Sequence, residues 1–303
     1  MFGLQLSKIK KHHYLLILFL ISIAAVYFSF LNPFPDTKYY NVYDSATYIS
    51  EANNLIRYHQ YGIFNGDLFI ANKAQPPGMA ILLTPVIYFF GSNFFAIKLY
   101  LIIIGLITVF VSYIFFEIYI PPARALLCML IFALSPFTFI LSRIVFSEIP
   151  LVCFFMLALI GFDKLFFEDE YLQGLVLCVV CAACATMLKG TGLALLLVPL
   201  PALMALKRKK YWAYYLIFLG IAILPTLWFT VRNFLIESYG IVGKSQFWFL
   251  FGTIQSDAPV KTVLSFCGRV LNNIRWHGIY TPLNLVFPVF SLLFLRLKSQ
   301  QKF

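Results

Sequence analysis

The sequence has 303 residues, of which 61% are hydrophobic and 12% are charged. Soluble domains carry about 25% charged residues, so this composition excludes an ordinary soluble domain and predicts an all-α, polytopic membrane protein. The net charge of +11 does not indicate nucleic-acid binding, because the lysines and arginines cluster in short loops and tails, a pattern that sets membrane topology.

The chain begins with a basic segment that precedes its first apolar stretch. Lys8, Lys10 and Lys11 come before the apolar residues 14–31. The stretch is long, and no cleavage site of small residues follows it. We therefore interpret it as an uncleaved membrane anchor and not as a signal peptide.

Eight apolar stretches are predicted to be transmembrane helices, which need about 20 residues each. They cover residues 14–31, 94–118, 123–141, 149–167, 172–188, 190–206, 211–231 and 279–296. A further apolar segment, 78–90, contains Pro85 and is too short to cross about 30 Å of hydrocarbon. We expect it to be a re-entrant or amphipathic helix at the outer interface.

The distribution of basic residues decides the topology. If the segment 78–90 does not span, the basic N-terminus, Lys207–Lys210 and the basic C-terminal tail all lie on one side. That arrangement obeys the positive-inside rule, so both termini are predicted to be cytoplasmic. Two long loops, about 32–92 and 232–278, then face outside, and a bacterial inner or plasma membrane is the expected location.

Three cysteines, Cys178, Cys181 and Cys184, stand at three-residue spacing within one apolar helix. A metal site would need polar groups around the thiols, and the neighbouring residues are apolar. We interpret the spacing as a small-residue packing face. No metal ligand and no cofactor are predicted, although dependence on a divalent metal stays open.

The first outer loop contains an amphipathic helix that starts near Asp44. Apolar or aromatic residues recur at three- and four-residue steps from Tyr48 to His59, and Gly62 is a suitable end. Asp44 is expected to be the N-cap of this helix, a role worth about 1 kcal/mol. A capping role is compatible with a catalytic one.

With this topology, several polar residues fall at the outer membrane surface. Carboxylates suit the deprotonation of an attacking hydroxyl, and cations suit a phosphate or pyrophosphate. These residues are Asp44, Gln75, Arg143, Glu148, Lys189, Arg232 and Asn233. The Lys189 turn also contains Gly190 and Gly192, which would let a ligand approach the backbone closely.

An ordered set of motifs resembles the GT-C superfamily of membrane glycosyltransferases, in particular the protein mannosyltransferase and lipid A aminoarabinose transferase branches. The resemblance covers residues 1–235. It rests on Asp44–Tyr48 with the following helix, Gln75–Gly78, Ser147–Pro150, Met187–Gly192 and the segment from Leu224-Pro225 to Arg232-Asn233.

This resemblance implies transfer of a sugar from a polyprenyl-phosphate donor to a hydroxyl of a lipid, glycan or protein, with inversion. By position, Asp44 resembles the acid that activates the acceptor, and Glu148 resembles the second acid. Lys189 and Arg232 resemble residues of the donor-phosphate cavity, to which we add Arg143. The residues predicted to contact substrate are Tyr48, Gln75 and Asn233.

The sequence departs from these relatives in two places and in length. Ser45 follows Asp44 where many relatives have Glu, and Ala74 and Gln75 stand where one branch has an acid and a lysine. Relatives usually have more transmembrane helices. We expect residues 1–235 to be the catalytic module and residues 236–303 to be an outer loop with a final helix.

Two other functions compete with an enzyme. One is a transporter or flippase of a lipid-linked sugar, and the other is a non-catalytic GT-C-like subunit. Transporters tend to place ionisable residues at the middle of the bilayer, whereas the polar residues here fall at one surface. The sequence therefore favours the transferase, without identifying the sugar or the acceptor.

Overall fold

The computed structural model describes residues 2–29, 31, 42–65, 68–73, 75–168, 170–200, 203–204 and 209–238. The chain divides into two compact units, Met1–Ile241 and Val242–Phe303. The second unit, with the predicted span 279–296, lies outside the described residues. The predicted module boundary at residue 235 stays a prediction.

Helices dominate the described ranges, with one short antiparallel hairpin. In chain order the elements are α1 (Phe2–Ser29), α2 (Val42–Tyr58), β1 (Gly62–Asn65), β2 (Leu68–Ala71), α3 (Gly78–Phe90), α4 (Phe94–Tyr119), α5 (Pro122–Leu134), α6 (Pro136–Leu141), α7 (Glu148–Phe167), α8 (Tyr171–Leu188), a 3-10 helix (Gly190–Leu196), α9 (Lys209–Ala222) and α10 (Leu224–Ser238).

Four helical stretches of the described chain are long and apolar enough to cross a membrane: Phe94–Tyr119, Glu148–Phe167, Tyr171–Leu188 and Lys210–Ile236. Three shorter apolar helices accompany them: Tyr14–Ser29, Gly78–Phe90 and Pro122–Leu134. The predicted class, a polytopic helical membrane protein, is confirmed.

The pair α7 and α8 forms the tightest packing of the bundle. A Cβ atom on Gly161 would lie 2.7 Å from the backbone nitrogen of Cys178, and one on Gly174 would lie 2.6 Å from that of Leu165. Cys178 and Cys181 are buried along the same helix. Small residues allow this approach, because helices in lipid associate through close packing more than through apolar burial.

α1 packs against α4 and α5 through an apolar cluster. Tyr27 is fully buried there, and its hydroxyl donates a 2.8 Å hydrogen bond to the carbonyl oxygen of Ala133 in α5. The hydroxyl thus has a partner inside an apolar environment, where an unpaired one would be costly. The first helix is therefore fixed to the bundle and does not stand apart from it.

The first outer loop is more structured than the sequence analysis predicted. α2 begins at Val42, so Asp44 lies in its first turn and not at the N-cap. The helix ends at Tyr58, followed by His59 with a φ of 55°, whereas Gly62 begins β1. The hairpin was not predicted, although the dipeptide Gly66-Asp67 between two apolar runs is a sequence signal for one.

The predicted span 123–141 is two helices, α5 and α6, separated at Ser135. Proline lacks the backbone N–H that a helix interior needs, so a new helix starts at Pro136. The Ser135 hydroxyl accepts a 3.3 Å hydrogen bond from the backbone N–H of Thr138 and caps this second helix.

The predicted span 190–206 also differs from the structure. It begins as the seven-residue 3-10 helix, whose rise of about 2 Å per residue makes it far shorter than a membrane. Glycines at 190 and 192 and prolines at 199 and 201 disfavour a long α-helix. The prediction of eight spans is therefore not supported at this position.

The contact between α7 and α8 yields a stability prediction. Gly174→Ala should lower the unfolding temperature of the purified protein in detergent, because overpacking costs about 1–3 kcal/mol. Gly220→Ala is the matched control, since a Cβ atom there meets nothing within 4 Å. The control should unfold at the wild-type temperature or above. Equal unfolding temperatures for both variants would contradict the packing argument.

Candidate active site

The clearest meeting of predicted site residues is between Glu148 and Lys189. Glu148 is the first residue of α7, and Lys189 directly follows α8. Because a short connection joins the two antiparallel helices, the start of α7 lies beside the end of α8. Anions are favoured at helix N-termini and cations at C-termini, so both charges suit their positions.

The two side chains form an ion pair, with 2.6 Å between Lys189 Nζ and Glu148 Oε1. Their exposed fractions are 35% for the lysine and 24% for the glutamate. Ion pairs with this much exposure typically contribute about 0–1 kcal/mol to stability. The pair matters more for placing an acid and a cation side by side than for stabilising the fold.

The first turn of α2 contacts the segment before α7 through Ser45. Its hydroxyl donates a 3.2 Å hydrogen bond to the carbonyl oxygen of Val145, three residues before Glu148 in the chain. Asp44 is in the same helical turn as Ser45. The structure describes the backbone of Asp44 but not its side chain, so its catalytic role stays a prediction.

Two glycines keep the Lys189 turn compact. A Cβ atom on Gly78, at the start of α3, would lie 2.4 Å from the carbonyl oxygen of Met187. A Cβ atom on Gly192 would lie 2.4 Å from that of Ala185. The segment Gln75–Gly78 therefore lies directly against the end of α8, as the shared outer level of these motifs predicts.

Arg232 in α10 has contacts within the protein that the sequence analysis did not predict, and its contact with a donor phosphate stays a prediction. Its NH1 donates to the carbonyl oxygen of Asn72 at 2.9 Å and to Asn233 Oδ1 at 2.9 Å, while NH2 donates to the carbonyl oxygen of Tyr61 at 3.0 Å. The guanidinium also lies 5.3 Å from the centre of the Tyr61 ring. Arg232 thus joins α10 to the base of the hairpin.

The residues predicted to contact substrate hold the same loop. Asn233 Nδ2 donates a 3.2 Å hydrogen bond to the carbonyl oxygen of Lys73. The carbonyl oxygen of Gln75 accepts a 2.9 Å hydrogen bond from the Tyr61 hydroxyl. Tyr48 is buried in α2, with 5% of its surface exposed. These contacts give the three predicted residues a structural role, and their contact with substrate stays a prediction.

Arg143, the third predicted phosphate ligand, lies between α6 and α7. Its guanidinium carbon is 4.8 Å from the centre of the Phe139 ring, a cation–π geometry.

Within the described part of the chain, no group of three or more His, Cys, Asp or Glu side chains is arranged to hold a metal ion.

The sequence analysis missed a buried carboxyl group in α2. Glu51 has 0% of its surface exposed, and Asn72 Nδ2 donates a short hydrogen bond to its Oε1. Burial raises the pKa of Glu51 to about 7, against the opposing effects of hydrogen bonds from Asn72 and Tyr61 and of the Arg232 charge. The available signal was its position, three residues after Tyr48 on the buried face.

Tyr61, Glu51 and Asn72 form one polar cluster at the base of the hairpin. Burial, reinforced by the Glu51 charge, raises the pKa of the Tyr61 phenol above its ordinary value. Tyr61 is therefore neutral at any working pH. In this structure its hydroxyl donates a hydrogen bond to the carbonyl oxygen of Gln75, which fixes the start of the Gln75–Gly78 segment.

The crystal structure of ArnT from Cupriavidus metallidurans in the apo state is similar to this fold. The TM-score is 0.56 at 15% sequence identity, and the match covers 93% of this chain and 57% of that one. A likeness at this identity concerns the fold alone, and the chain spans little more than half the length of that protein. A comparison with curated protein sequences found no match.

The sequence profile of the family described as dolichyl-phosphate-mannose-protein mannosyltransferase matches residues 74–229. This region contains Gln75, Arg143, Glu148 and Lys189, and ends three residues before Arg232. Because the match covers just over half of the 303 residues, the chain belongs to this family of GT-C membrane glycosyltransferases.

Proposed function

We propose that this protein transfers a sugar from a polyprenyl-phosphate donor to an acceptor hydroxyl at the outer face of the membrane, with inversion. The observation that carries the proposal is the contact between Glu148 and Lys189 beside the first turn of α2. The pair puts an acid and a cation at one end of two apolar helices. Ser45, the neighbour of Asp44, is hydrogen-bonded to Val145, three residues before Glu148, which supports a position of Asp44 near the pair. Family membership supports the same chemistry.

Lys189 is the proposed ligand of the donor phosphate. Its ammonium group has three donor hydrogens, so it can bind Glu148 and a phosphate oxygen together. A phosphate close to Lys189 would also compete with Glu148 for the ammonium charge. Gly190 carries no side chain beside this position, which lets a headgroup approach its backbone. The space beside Gly192 is filled by the end of α8.

Asp44 is the proposed general base. Its carboxylate takes the proton of the acceptor hydroxyl while the acceptor oxygen attacks the anomeric carbon. The bond from that carbon to the phosphate oxygen breaks, and its electron pair leaves with the polyprenyl phosphate. Phosphate is already a good leaving group, so the mechanism needs no strong acid on that side. Glu148 orients the acceptor or Asp44, with its charge balanced by Lys189.

The proposed orientation places both termini and Lys207–Lys210 in the cytoplasm and the first outer loop outside. In a background with the six cysteines replaced, Asn65→Cys should react with a membrane-impermeant maleimide on intact cells. Lys209→Cys should react only after permeabilisation. Equal labelling of both positions from the same side would show that the orientation is wrong.

Lys189→Ala should weaken the binding of a polyprenyl-phosphate sugar at least tenfold, because a charge-assisted hydrogen bond contributes about 1.5–3 kcal/mol and 1.4 kcal/mol is a factor of ten. Lys164→Ala is a matched control, since Lys164 pairs with Glu170 at the other end of α7. The control should bind the donor normally. Wild-type affinity in folded Lys189→Ala would remove Lys189 from the donor site.

Asp44→Asn should lower the rate of sugar transfer about 10²–10⁴-fold, as expected for loss of a general base. A purely structural acid in the first turn of α2 contributes only about 0.3–1 kcal/mol through the helix dipole. Steady-state kinetics of the purified variant, with its expression level as the folding control, separates the two roles. Near wild-type transfer would mean that Asp44 is not the base.

A further inference from the structure

Asn72 contacts three parts of the first outer loop, and it also contacts α10. Its Nδ2 donates to Glu51 Oε1 in α2 and, at 3.4 Å, to the Tyr61 hydroxyl. Its Oδ1 accepts a 3.2 Å hydrogen bond from the backbone N–H of Gln75, and its carbonyl oxygen accepts one from Arg232 NH1. Side chain and backbone of one residue therefore join α2, the hairpin base, α10 and the start of the Gln75–Gly78 segment.

The Gln75–Gly78 segment connects this cluster to the candidate active site. Gln75 is held at both its N–H and its carbonyl oxygen. Pro76 and Pro77 follow, and both are buried. Proline fixes the backbone angle φ, so the segment is stiff. At its other end, Gly78 lies against Met187, two residues before Lys189.

Glu51 is an unusual residue to bury at this point. Its Oε2 is buried and has no hydrogen-bond partner among the described residues. A buried carboxyl group that is only partly hydrogen-bonded costs free energy, so stability alone would favour an apolar side chain. The cost is consistent with a role in function.

We propose that Glu51 and Asn72 are positioning residues, which hold the Gln75–Gly78 segment against the Lys189 turn and so set the geometry of the donor site. The donor site itself rests on the proposed function, whereas the packing of the segment does not. Neither residue touches Lys189 in this arrangement. They act through Gln75 and the two prolines.

The protonation state of Glu51 changes the stability of the cluster that holds the Gln75–Gly78 segment. Among the described side chains, the charged or titratable groups that face Glu51 are Tyr61 and Arg232, with Tyr48 close to Tyr61. Since burial raises the pKa of Glu51 from 4.5 to about 7, the folded protein binds the proton more tightly than the unfolded chain. The stability from this group is complete below pH 4.5 and is lost as the pH rises through about 7, so ionisation weakens the cluster.

The first experiment measures the accessibility of the Lys189 turn in the absence of a lipid-linked sugar donor. In the background with all cysteines replaced, Lys189→Cys reports the accessibility of the turn through its rate of reaction with a maleimide. Adding Asn72→Ala or Glu51→Ala should raise this rate at least threefold. Asn53→Ala is the matched control, because Asn53 lies on the same helix and bonds Ile49 and Ser92 instead.

The second experiment separates KM from kcat in sugar transfer. The wild-type KM for a polyprenyl-phosphate sugar should rise at least threefold between pH 6 and pH 8.5. Glu51→Gln resembles the protonated form, so its KM should stay at the low-pH value throughout, with kcat close to that of the wild type at each pH. Glu168→Gln changes an exposed acid at the far end of α7 and should follow the wild type.

Different results would overturn the positioning role and the proposed function. Equal labelling rates in Asn72→Ala and Asn53→Ala, or the same pH dependence of KM in Glu51→Gln and the wild type, would overturn the inference. A clear labelling response, together with a protein with Lys189 intact that binds no polyprenyl phosphate, would overturn the proposed function and leave the positioning role of the two residues in place.

Discussion

The close contact between α7 and α8 brings together two of the predicted site residues. Glycines at 161 and 174 let the two backbones approach until an added Cβ atom would touch the neighbouring helix. A short connection makes the helices antiparallel, so the N-terminus of one lies beside the C-terminus of the other. An acid at the first and a cation at the second, Glu148 and Lys189, are then neighbours as a consequence of the packing.

The first outer loop is attached to the helices in a different way. Polar contacts add to the apolar packing of residues such as Met79 and Leu83 in attaching it to the helices: Arg232 and Asn233 donate to backbone carbonyl oxygens around the hairpin. The Tyr61 carbonyl oxygen also accepts a 3.4 Å hydrogen bond from the backbone N–H of Asn72, in keeping with the rule that buried carbonyls are paired. An arginine that the resemblance assigns to the donor phosphate therefore also fixes the loop, and both effects should be considered when it is changed.

The two arrangements meet at the Gln75–Gly78 segment. One end is bound to the polar cluster around Asn72, and the other is pressed against the end of α8. A stiff proline segment therefore joins a titratable cluster to the Lys189 turn. Under the proposed function, it lets the loop influence the lipid-phosphate donor without contacting it.

Much of the fold could be predicted from the sequence, because transmembrane helices need only length and hydropathy, and both are local. The charge distribution, and the topology inferred from it, predicted that Glu148, Lys189 and the Gln75–Gly78 segment lie at the same level of the membrane. Local signals also explain two errors, since Ser135-Pro136 and the glycines at 190 and 192 interrupt helices that hydropathy alone would continue.

The sequence by itself determined the class of protein, the four helices that are long and apolar enough to cross a membrane, and the family resemblance. Only the tertiary structure decided that Glu51 is buried beside Asn72 and that Arg232 binds two carbonyl oxygens of the loop. The physical reason is distance along the chain. Arg232 and its partner Asn72 are separated by 160 residues, and a hydrogen bond between them depends on how the helices pack, which no local pattern contains.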